Sequence, residues 1–563
     1  MRAIASPFVP TYRGAHLRSA LQATWDKFGF VAPRRSSVVL SKGAGTFSFT
    51  RATTATVEDW EGAIRVCKSG EVRFPGARRV ENLIPAPSAS IAIGANKTVT
   101  VTPGTYVFSM GAEATGTCLI TFTGTATGST GTLTANATNR TAKTLTITAG
   151  GTIIATCTVA AAADVQLEDV TGQSNQNPAE HVSVGVLSSP FHGAMVDGVK
   201  YFEHQNGNTV ASNVVTEATG ATLTTCKGQL DETASTNLVL QSSNFGASWT
   251  AIGTPTRSAA ARYCGSVALD LIGNDADYEG YRIALAFTGN AQKSLSFLVS
   301  KGTAASTSIQ LHDATASTYR ISATITWSGD IPVLTCTTGS QERPPEALAN
   351  GVYRVFFLSA SVVAANTNNL YFYPTYAVGA TGNIYIGGVQ AENATTASSH
   401  IPTTTGAVTR NADAGSYPSA GNVSASGGTL YLEYEIERET GADQVLAEIG
   451  DGSSNERISF YRGAAGGLTV YVADGGVAQC ALQLGAAAVG SSGRIAVRWA
   501  ANDFAGVMTG GAIQTDASGT LPTVTAIFPG NGRGTAYQAQ GPTKNLRISQ
   551  QLLSNAELLA LVA

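Results

Sequence analysis

Three glutamates in the segment GTLYLEYEIERE are the first candidates for chemistry in this sequence. Glu433, Glu435 and Glu437 alternate with apolar residues, and side chains alternate between the two faces of a strand, so all three carboxylates share one face. Polysaccharide hydrolysis uses two carboxylates about 5–9 Å apart, one as acid and one as base or nucleophile. The same alternation fits the solvated face of a half-buried strand. We favour the solvated face, and we expect no catalytic residue and a protein that is not an enzyme.

Histidines and glycines give no stronger signal for a metal or phosphate site. The six histidines do not occur at metal-ligand spacing, and they are His16, His181, His192, His204, His312 and His400. The glycines of PGNGRGT lack the GK[ST] sequence and the following helix of a phosphate-binding loop. We therefore expect neither a metal site nor a cofactor.

Aromatic residues are candidate sugar platforms, because a flat ring stacks on the apolar face of a pyranose while amides and carboxylates bind its hydroxyls. Trp327 lies at a predicted strand end before a turn, and Trp60 lies in a turn among acidic residues. Tyr431 shares the outward face of its strand with the glutamates. These three are the candidate carbohydrate-binding residues, and a core or rim position is the alternative for the two tryptophans. Trp499, on an inward face, is expected in a core.

The composition of the 563 residues predicts an all-β protein. Charged residues are 13% of the chain, about half the usual share of roughly 25%. Low charge with abundant Thr, Val, Gly and Ala is typical of a chain with many short strands and tight turns. The net charge of -3 argues against a nucleic-acid partner, which needs a basic surface. We also expect no signal peptide and no membrane segment, and free thiols formed in a reducing cytoplasm.

The first 40 residues predict a short basic helix at about residues 16–28. Leu17, Leu21, Trp25 and Phe28 fall on one face of that helix. Such a helix can dock on a partner protein, lie on a membrane, or pack on the neighbouring β-domain of its own chain. The residues alone leave these alternatives open.

An internal repeat organises the middle of the chain. The sequences ENLI (81–84) and TNLV (236–239) each precede Thr-, Ser- and Ala-rich strands, and VQLE (165–168) and VQAE (389–392) follow them. Two related β-sandwiches, each opened and closed by the same strand pair, explain this pattern. A third sandwich at the end of the chain finishes in a small helix, which Ser554 and Glu557 begin with a capping box.

The predicted fold is therefore a series of antiparallel β-sandwiches of jelly-roll type, preceded by a short helical attachment segment. The predicted organisation is an attachment segment 1–80, a first sandwich 81–190, hairpins and loops 191–235, a second sandwich 236–400, a linker 401–427 and a terminal sandwich 428–563.

Several segments resemble tailed-bacteriophage fibre and virion-surface proteins. TFSFTRATTATVEDWEG, followed by EVRFPGARRVENLI, is similar to their entry segment, and VQLEDVTGQSNQNPAEHVSVGV is similar to a stretch that recurs in them. GGVQAENATTASSHIPTTTGAVTRNAD resembles the closing strand and linker of their carbohydrate-binding-like modules. Residues 428–563 resemble a concanavalin A-like lectin/glucanase (LamG-like) sandwich, through RIAVRWAANDFAGVMTGG and LSNAEL.

The resemblance implies a structural virion protein, made in the host cytoplasm, that forms a tail-fibre or head-fibre-like appendage. Its sandwiches would bind host-surface glycans weakly, and a homotrimer would strengthen that binding through avidity. Attachment to other virion proteins is expected through Leu17, Leu21, Trp25 and Phe28. The alternatives are an architectural decoration or tail-tip component that binds only virion proteins, and a glycan-degrading tailspike.

Overall fold

The computed structural model describes residues 21–85, 90–91, 95–111, 119–129, 131–134, 136–157, 162–185, 193–204, 224–532 and 537–563. These residues form antiparallel sheets, with helices only at 21–26, Ala349–Gly351 (a 3-10 turn) and Asn555–Val562. The predicted all-β class is confirmed. None of the helices in the described ranges is long and apolar enough to cross a membrane.

Internal contacts divide the chain into two units. One unit comprises Met1–Arg34, Val39–Ser48 and Gly415–Ala563, and the other comprises Arg35–Val38 and Phe49–Ala414. The larger unit contains both predicted repeats, and the smaller unit contains the terminal sandwich.

The first sandwich of the larger unit packs two four-stranded sheets around a core that includes Phe108, Leu145 and Ile153. One sheet consists, in spatial order, of Thr127–Gly128, Thr141–Ala149, Gly104–Met110 and Gln166–Asp169. The other consists of Thr132–Thr134, Leu119–Gly124, Gly151–Cys157 and Asn96–Val101. A two-stranded pair, Ser90–Ile91 with Ala162–Ala163, accompanies them.

The second sandwich has larger sheets and a core that includes Phe297, Phe357 and Phe372. Its first sheet has the spatial order Thr250–Ile252, Gly280–Leu285, Asn368–Tyr373, Ser306–Asp313, Thr318–Ser328 and Ile331–Thr338. Its second sheet has the order Thr256–Cys264, Val267–Asn274, Gly382–Glu392, Ser294–Ser300, Tyr353–Leu358 and Ser340–Gln341, with Glu346–Ala347 also paired to Tyr353–Leu358.

Short strands complete the larger unit. Three two-stranded pairs are Ala55–Glu58 with Ile64–Cys67, Arg78–Glu81 with Val199–Phe202, and Ser235–Asn237 with Val408–Arg410. Gln229–Asp231 is a further short strand of this unit, and the strand Ser48–Thr50 begins at the last residue of the segment Val39–Ser48 of the smaller unit.

The terminal sandwich also has two sheets. The first contains Phe30–Ala32, Gly541–Ser549, Gly428–Glu435, Ser492–Ala500, Asp503–Met508 and Gln514–Asp516. The second contains Ala414–Pro418, Ala526–Pro529, Gln444–Gly450, Arg457–Arg462, Gly467–Asp474 and Val477–Ala486, and Asn531–Gly532 pairs with Tyr537–Gln538. Trp499 is buried in its core, as predicted. The capping box is confirmed, because the Glu557 main-chain nitrogen donates to the Ser554 hydroxyl and the Ser554 nitrogen donates to the Glu557 carboxylate.

The amphipathic helix near the start of the chain packs on the terminal sandwich. Phe28 is fully buried, and the ring of Trp25 meets the edge of Tyr431 at a centroid distance of 4.9 Å. Lys27 Nζ binds Glu557 Oε1 at 2.5 Å. The expected docking of Leu21, Trp25 and Phe28 on another virion protein is therefore corrected, because their apolar face is used within the chain. Leu17 lies outside the described residues.

The predicted linker 401–427 is also corrected, because it contains two strands, Val408–Arg410 and Ala414–Pro418, and several buried residues. Val408–Arg410 pairs with Ser235–Asn237, and Ala414–Pro418 joins a sheet of the terminal sandwich. Arg410 and Asp413 are fully buried despite their charge. The Thr-, Ser- and Gly-rich composition therefore reflects short strands and turns.

Arg410 and Asp413 belong to a buried ion cluster in the larger unit. Its five members, Arg51, Arg73, Glu232, Arg410 and Asp413, have no exposed side-chain surface. Arg73 Nη1 lies 2.7 Å from Glu232 Oε2, Arg51 Nη1 lies 2.9 Å from Asp413 Oδ1, and Arg73 also binds Asp413. Removal of one member leaves buried charge uncompensated, which costs about 3–5 kcal/mol.

A repeated polar clamp closes both sandwiches of the larger unit. Asn237 is fully buried and donates from Nδ2 to the main-chain oxygens of Val389 (3.0 Å) and Ile401 (2.8 Å). Its Oδ1 accepts from the main-chain nitrogens of Val239 (3.1 Å) and Ala391 (3.2 Å). Asn82 makes the same four bonds in the first sandwich, and its partners in the same order are Val165, Val182, Ile84 and Leu167.

A glutamine and a glutamate complete each clamp. Gln390 Oε1 accepts from the nitrogen of Ile401 at 2.6 Å, and Gln390 Nε2 donates to Glu392 at 2.8 Å. In the first sandwich Gln166 binds the nitrogen of Val182 and the carboxylate of Glu168 in the same way. The repeat inferred from ENLI, TNLV, VQLE and VQAE is therefore a repeat of hydrogen bonds.

Substitution of Asn237 by Ala should destabilise the second sandwich strongly. Four buried main-chain groups would lose their partner, and each unsatisfied group costs about 1–3 kcal/mol. We expect the free energy of unfolding to fall by at least about 3 kcal/mol, measured by urea denaturation. Thr236→Ala, at the neighbouring half-buried position, is the matched control and should stay within about 0.5 kcal/mol of the unsubstituted chain. Equal effects of the two substitutions would contradict the clamp.

Acid should destabilise the larger unit through His400, whose side chain is buried. Burial, with the charge of Arg354, lowers the pKa of His400 from 6.5 to about 3. The unfolded chain therefore binds a proton that the folded chain excludes, and the free energy of unfolding should fall by up to about 1.4 kcal/mol per pH unit below pH 6.5. Urea denaturation between pH 7 and pH 5 measures this slope, and His400→Phe should flatten it. A slope unchanged by that substitution would contradict the assignment.

Candidate functional site

One sheet of the second sandwich carries a cluster of aromatic side chains on the face turned away from the core. Along Asn368–Tyr373, Leu370 and Phe372 point into the core, so Tyr371 and Tyr373 point to the opposite face. We name the cluster the tyrosine face, and its members are Tyr278, His312, Tyr319, Tyr371, Tyr373 and Tyr376.

The rings of the tyrosine face follow one another across the sheet. Tyr278 lies 4.9 Å from Tyr376, and Tyr376 lies 4.9 Å from Tyr373, measured between ring centroids. Tyr371 and Tyr373 are stacked at 5.9 Å with an interplanar angle of 7°. The ring of His312 lies between Tyr371 and Tyr319, with centroid distances of 6.4 Å to Tyr371 and 4.9 Å to Tyr319.

Three of these rings are open to solvent. Tyr278 and Tyr376 are each 44% exposed and Tyr319 is 43% exposed. Polar groups lie among them, because Arg282 and Gln310 are the cross-strand neighbours of Tyr371. Burial and the surrounding tyrosines raise the pKa of Tyr373 to about 12.

The loop that carries Tyr278 is fixed in a strained conformation. Tyr278 has a φ of 60°, in the left-handed region that a bulky residue rarely adopts. The Glu279 carboxylate accepts from the main-chain nitrogens of Thr254 (2.7 Å), Asp275 (3.1 Å) and Ala276 (3.1 Å). These bonds lower the pKa of Glu279 to about 2 and hold the strained loop. Strain of this kind is often kept at binding sites.

The loop that carries Tyr376 is tied to the same region. Asn274 Nδ2 donates to the Thr375 hydroxyl at 2.7 Å and to the Ala380 oxygen at 2.9 Å. The Gly379 nitrogen donates to Asp277 Oδ1 at 2.6 Å. The two exposed tyrosines are therefore positioned by hydrogen bonds between their loops.

A third set of bonds holds the turn beside Tyr319. Asp313 is fully buried, and its carboxylate accepts from Arg320 Nη2 at 2.7 Å and from Asn366 Nδ2 at 2.9 Å. These bonds, together with that from the Ala316 nitrogen, outweigh burial and lower the pKa of Asp313 to about 2. A bulge between Leu311 and His312 shifts the pairing with the next strand at this point. The face is thus preorganised at both of its ends.

The sequence-based candidates lie elsewhere. Trp327 is half-buried against the core of the second sandwich, and Trp60 is half-buried in the turn between two short strands. Tyr431 is only 3% exposed, because the helix at 21–26 covers it, and its hydroxyl donates to Glu433 at 2.8 Å. This corrects the choice of Tyr431, because a covered ring has no face for a sugar. Glu433, Glu435 and Glu437 are half-buried and alternate with buried residues, as their spacing predicts.

Sequence analysis missed the tyrosine face. The segment NLYFYPTY contains the alternation of Tyr with Leu and Phe that places Tyr371 and Tyr373 on one face. Tyr278 comes from a distant loop and Tyr319 from the strand Thr318–Ser328, and no local pattern links them to that segment. Within the ranges that the structure describes, no group of three or more His, Cys, Asp or Glu side chains is arranged to hold a metal ion.

Comparison with protein-family models and with curated proteins finds no match. Among solved structures, the chain is similar to the CBM40 of Ruminococcus gnavus IT-sialidase bound to α2,3-sialyllactose, with 20% identity over 25% of this chain and 84% of that chain and a TM-score of 0.22. It is also similar to the CBM22-1–CBM22-2 tandem of Paenibacillus barcinonensis Xyn10C, with 10% identity, 62% and 99% coverage and a TM-score of 0.20. Mouse laminin α1 domains LG4-5 match with 14% identity, 50% and 88% coverage and a TM-score of 0.18.

The expectation that the protein is not an enzyme is corrected by the same comparison. Trypanosoma rangeli sialidase matches with 9% identity over 94% of this chain and 96% of that chain, with a TM-score of 0.22. The structural neighbours therefore include an enzyme as well as binding modules. The similarity to either group is too low to assign an activity to this chain.

Proposed function

We propose that this chain is a virion-surface protein of a tailed bacteriophage and that its second sandwich binds host-surface glycans through the tyrosine face. The observation that carries the proposal is the row of six neighbouring rings across one sheet and its loops, three of which are exposed. Aromatic rings bind sugars by stacking on their apolar faces, and the neighbouring Arg282 and Gln310 supply partners for hydroxyl groups.

The arrangement of the rings suits a glycan chain. Exposed rings lie toward both ends of the row, at Tyr278 and Tyr376 on one side and at Tyr319 on the other. A ligand that touches both ends must cross several strands, which lie about 4.8 Å apart. An oligosaccharide meets this requirement better than a single sugar does.

The placement on a virion rests on the resemblance of the entry, repeat and terminal segments to phage fibre proteins. A fibre-like homotrimer would present three tyrosine faces, and linked weak sites gain apparent affinity without new contacts. Weak single sites would then suffice for attachment to a polysaccharide-coated cell.

Removal of single rings should weaken glycan binding. We expect Tyr371→Ala and Tyr376→Ala each to raise the dissociation constant about tenfold, which corresponds to roughly 1.4 kcal/mol of lost stacking energy. An array of bacterial surface oligosaccharides identifies the best ligand, and isothermal titration calorimetry measures its affinity for each variant.

Tyr376→Phe is the conservative control and should stay within about twofold, because the ring remains. Tyr471→Ala removes a half-buried ring from the terminal sandwich and should have no effect. An array without any bound oligosaccharide would reject the glycan-binding proposal and favour an architectural component. Binding that survives both alanine substitutions would reject the tyrosine face.

The proposed location predicts that intact particles carry this chain on their surface. Gold-labelled antibody raised against residues 428–563 should decorate phage particles in electron micrographs, at the capsid, tail tube or tail tip. Particles from a phage that encodes an unrelated surface protein are the control. A lysate in which the antibody detects the chain only away from particles would contradict a virion role.

A further inference from the structure

A cavity of about 200 Å³ lies beside Trp60, within the larger unit. The walls come from the strands Ile64–Cys67 and Arg78–Glu81, from the turn that follows Ala55–Glu58, from residues 173–177, and from the first sandwich. Wall residues central to the argument are Trp60, Arg79, Glu81, Asp169, Asn175 and Asn177. This cavity is separate from the tyrosine face, and none of the residues of that face lines it.

The turn that carries Trp60 is rigidly held. Asp59 Oδ1 accepts from the main-chain nitrogens of Glu61 and Ala63, both at 2.9 Å. Asp59 Oδ2 lies 3.0 Å from Arg65 Nε, and both side chains are almost fully buried. These bonds therefore hold the main chain of the turn that places half-buried Trp60 at the cavity wall.

The opposite wall is fixed to the same turn. The Glu61 carboxylate accepts from the Ser174 nitrogen at 3.0 Å and from its hydroxyl at 2.5 Å. Asn175 Oδ1 then accepts from the Asn177 nitrogen at 3.0 Å. Together these bonds keep the asparagines of residues 173–177 close to the turn of Trp60.

The charges around the cavity disfavour an anion. Each arginine of the wall is paired with an acid: Arg65 with Asp59, Arg78 with Glu180 at 2.6 Å, and Arg79 with Glu71 at 2.7 Å and with Glu81 at 2.8 Å. Glu168 and Asp169 add two further carboxyl groups to the wall. An uncharged ligand with many hydroxyl groups can bind such paired acceptors and donors without adding net charge.

We infer that this cavity is a second binding site, which takes a single uncharged sugar ring. The volume is below the range of roughly 300–1,000 Å³ that holds drug-sized ligands, so one ring fits better than a chain. Trp60 supplies an aromatic surface for the apolar side of the ring, and the amides and carboxylates supply partners for its hydroxyls. The chain thus has one open face for oligosaccharides and one cavity for a monosaccharide.

Saturation-transfer-difference NMR on the full chain tests this inference. The chain carries Tyr371→Ala and Tyr376→Ala, so that the tyrosine face is disabled. The probes are the methyl glycosides of glucose, galactose, mannose and N-acetylglucosamine, with N-acetylneuraminic acid as the anionic probe. We expect saturation transfer to at least one methyl glycoside and none to N-acetylneuraminic acid.

Two further substitutions locate the site. Trp60→Ala and Asn177→Ala should each reduce the transfer about tenfold, while Trp60→Phe and the distant Tyr471→Ala should retain it. Thermal unfolding of every variant checks that the fold is intact, and Asn177→Ala keeps the test valid if Trp60→Ala unfolds. No transfer to any methyl glycoside, transfer that survives the wall substitutions, or stronger transfer to N-acetylneuraminic acid would overturn the inference. Because oligosaccharide binding is measured separately on the chain with intact tyrosines, failure of this site is distinguishable from failure of the tyrosine face.

Discussion

The buried polar clamp is the constraint on which both sandwiches of the larger unit depend. An asparagine without access to water must satisfy two donors and its oxygen inside the protein. Asn237 does so only where the strand that enters the sandwich, the strand that closes it and the returning chain at Ile401 all meet. The side chain therefore joins the entering strand to two segments that lie more than 150 residues further along the chain, and Asn82 joins the equivalent segments in the first sandwich.

The clamp and the tyrosine face belong to different sheets of the second sandwich. The closing strand, Gly382–Glu392, lies in the middle of one sheet, and the clamp joins it to the chain that returns toward the buried ion cluster. The other sheet contributes its inner face to the core and carries the tyrosines on its outer face.

The sequence predicted those parts of the structure that local patterns specify. Alternation gave the strands, the ENLI and TNLV motifs indicated the repeat, and the spacing of Ser554 and Glu557 gave the capping box. The apolar stripe of Trp25 and Phe28 gave a helix, but a stripe does not say which surface covers it. That surface proved to be the strand of Tyr431 in the same chain.

Other parts depend on contacts that no local pattern contains. Residues 401–427 have the composition of a linker, yet Arg410 and Asp413 are buried because Arg51, Arg73 and Glu232 neutralise them from distant positions. The tyrosine face likewise assembles from the loops of Tyr278 and Tyr376 and the strand of Tyr319, which meet only in the folded sheet. A crystal structure of the chain with a bound host-surface oligosaccharide tests the central claim most directly. The account predicts sugar rings stacked along Tyr278, Tyr376 and Tyr371, and an oligosaccharide bound on the opposite sheet or on the terminal sandwich, with the tyrosine face empty, would contradict it.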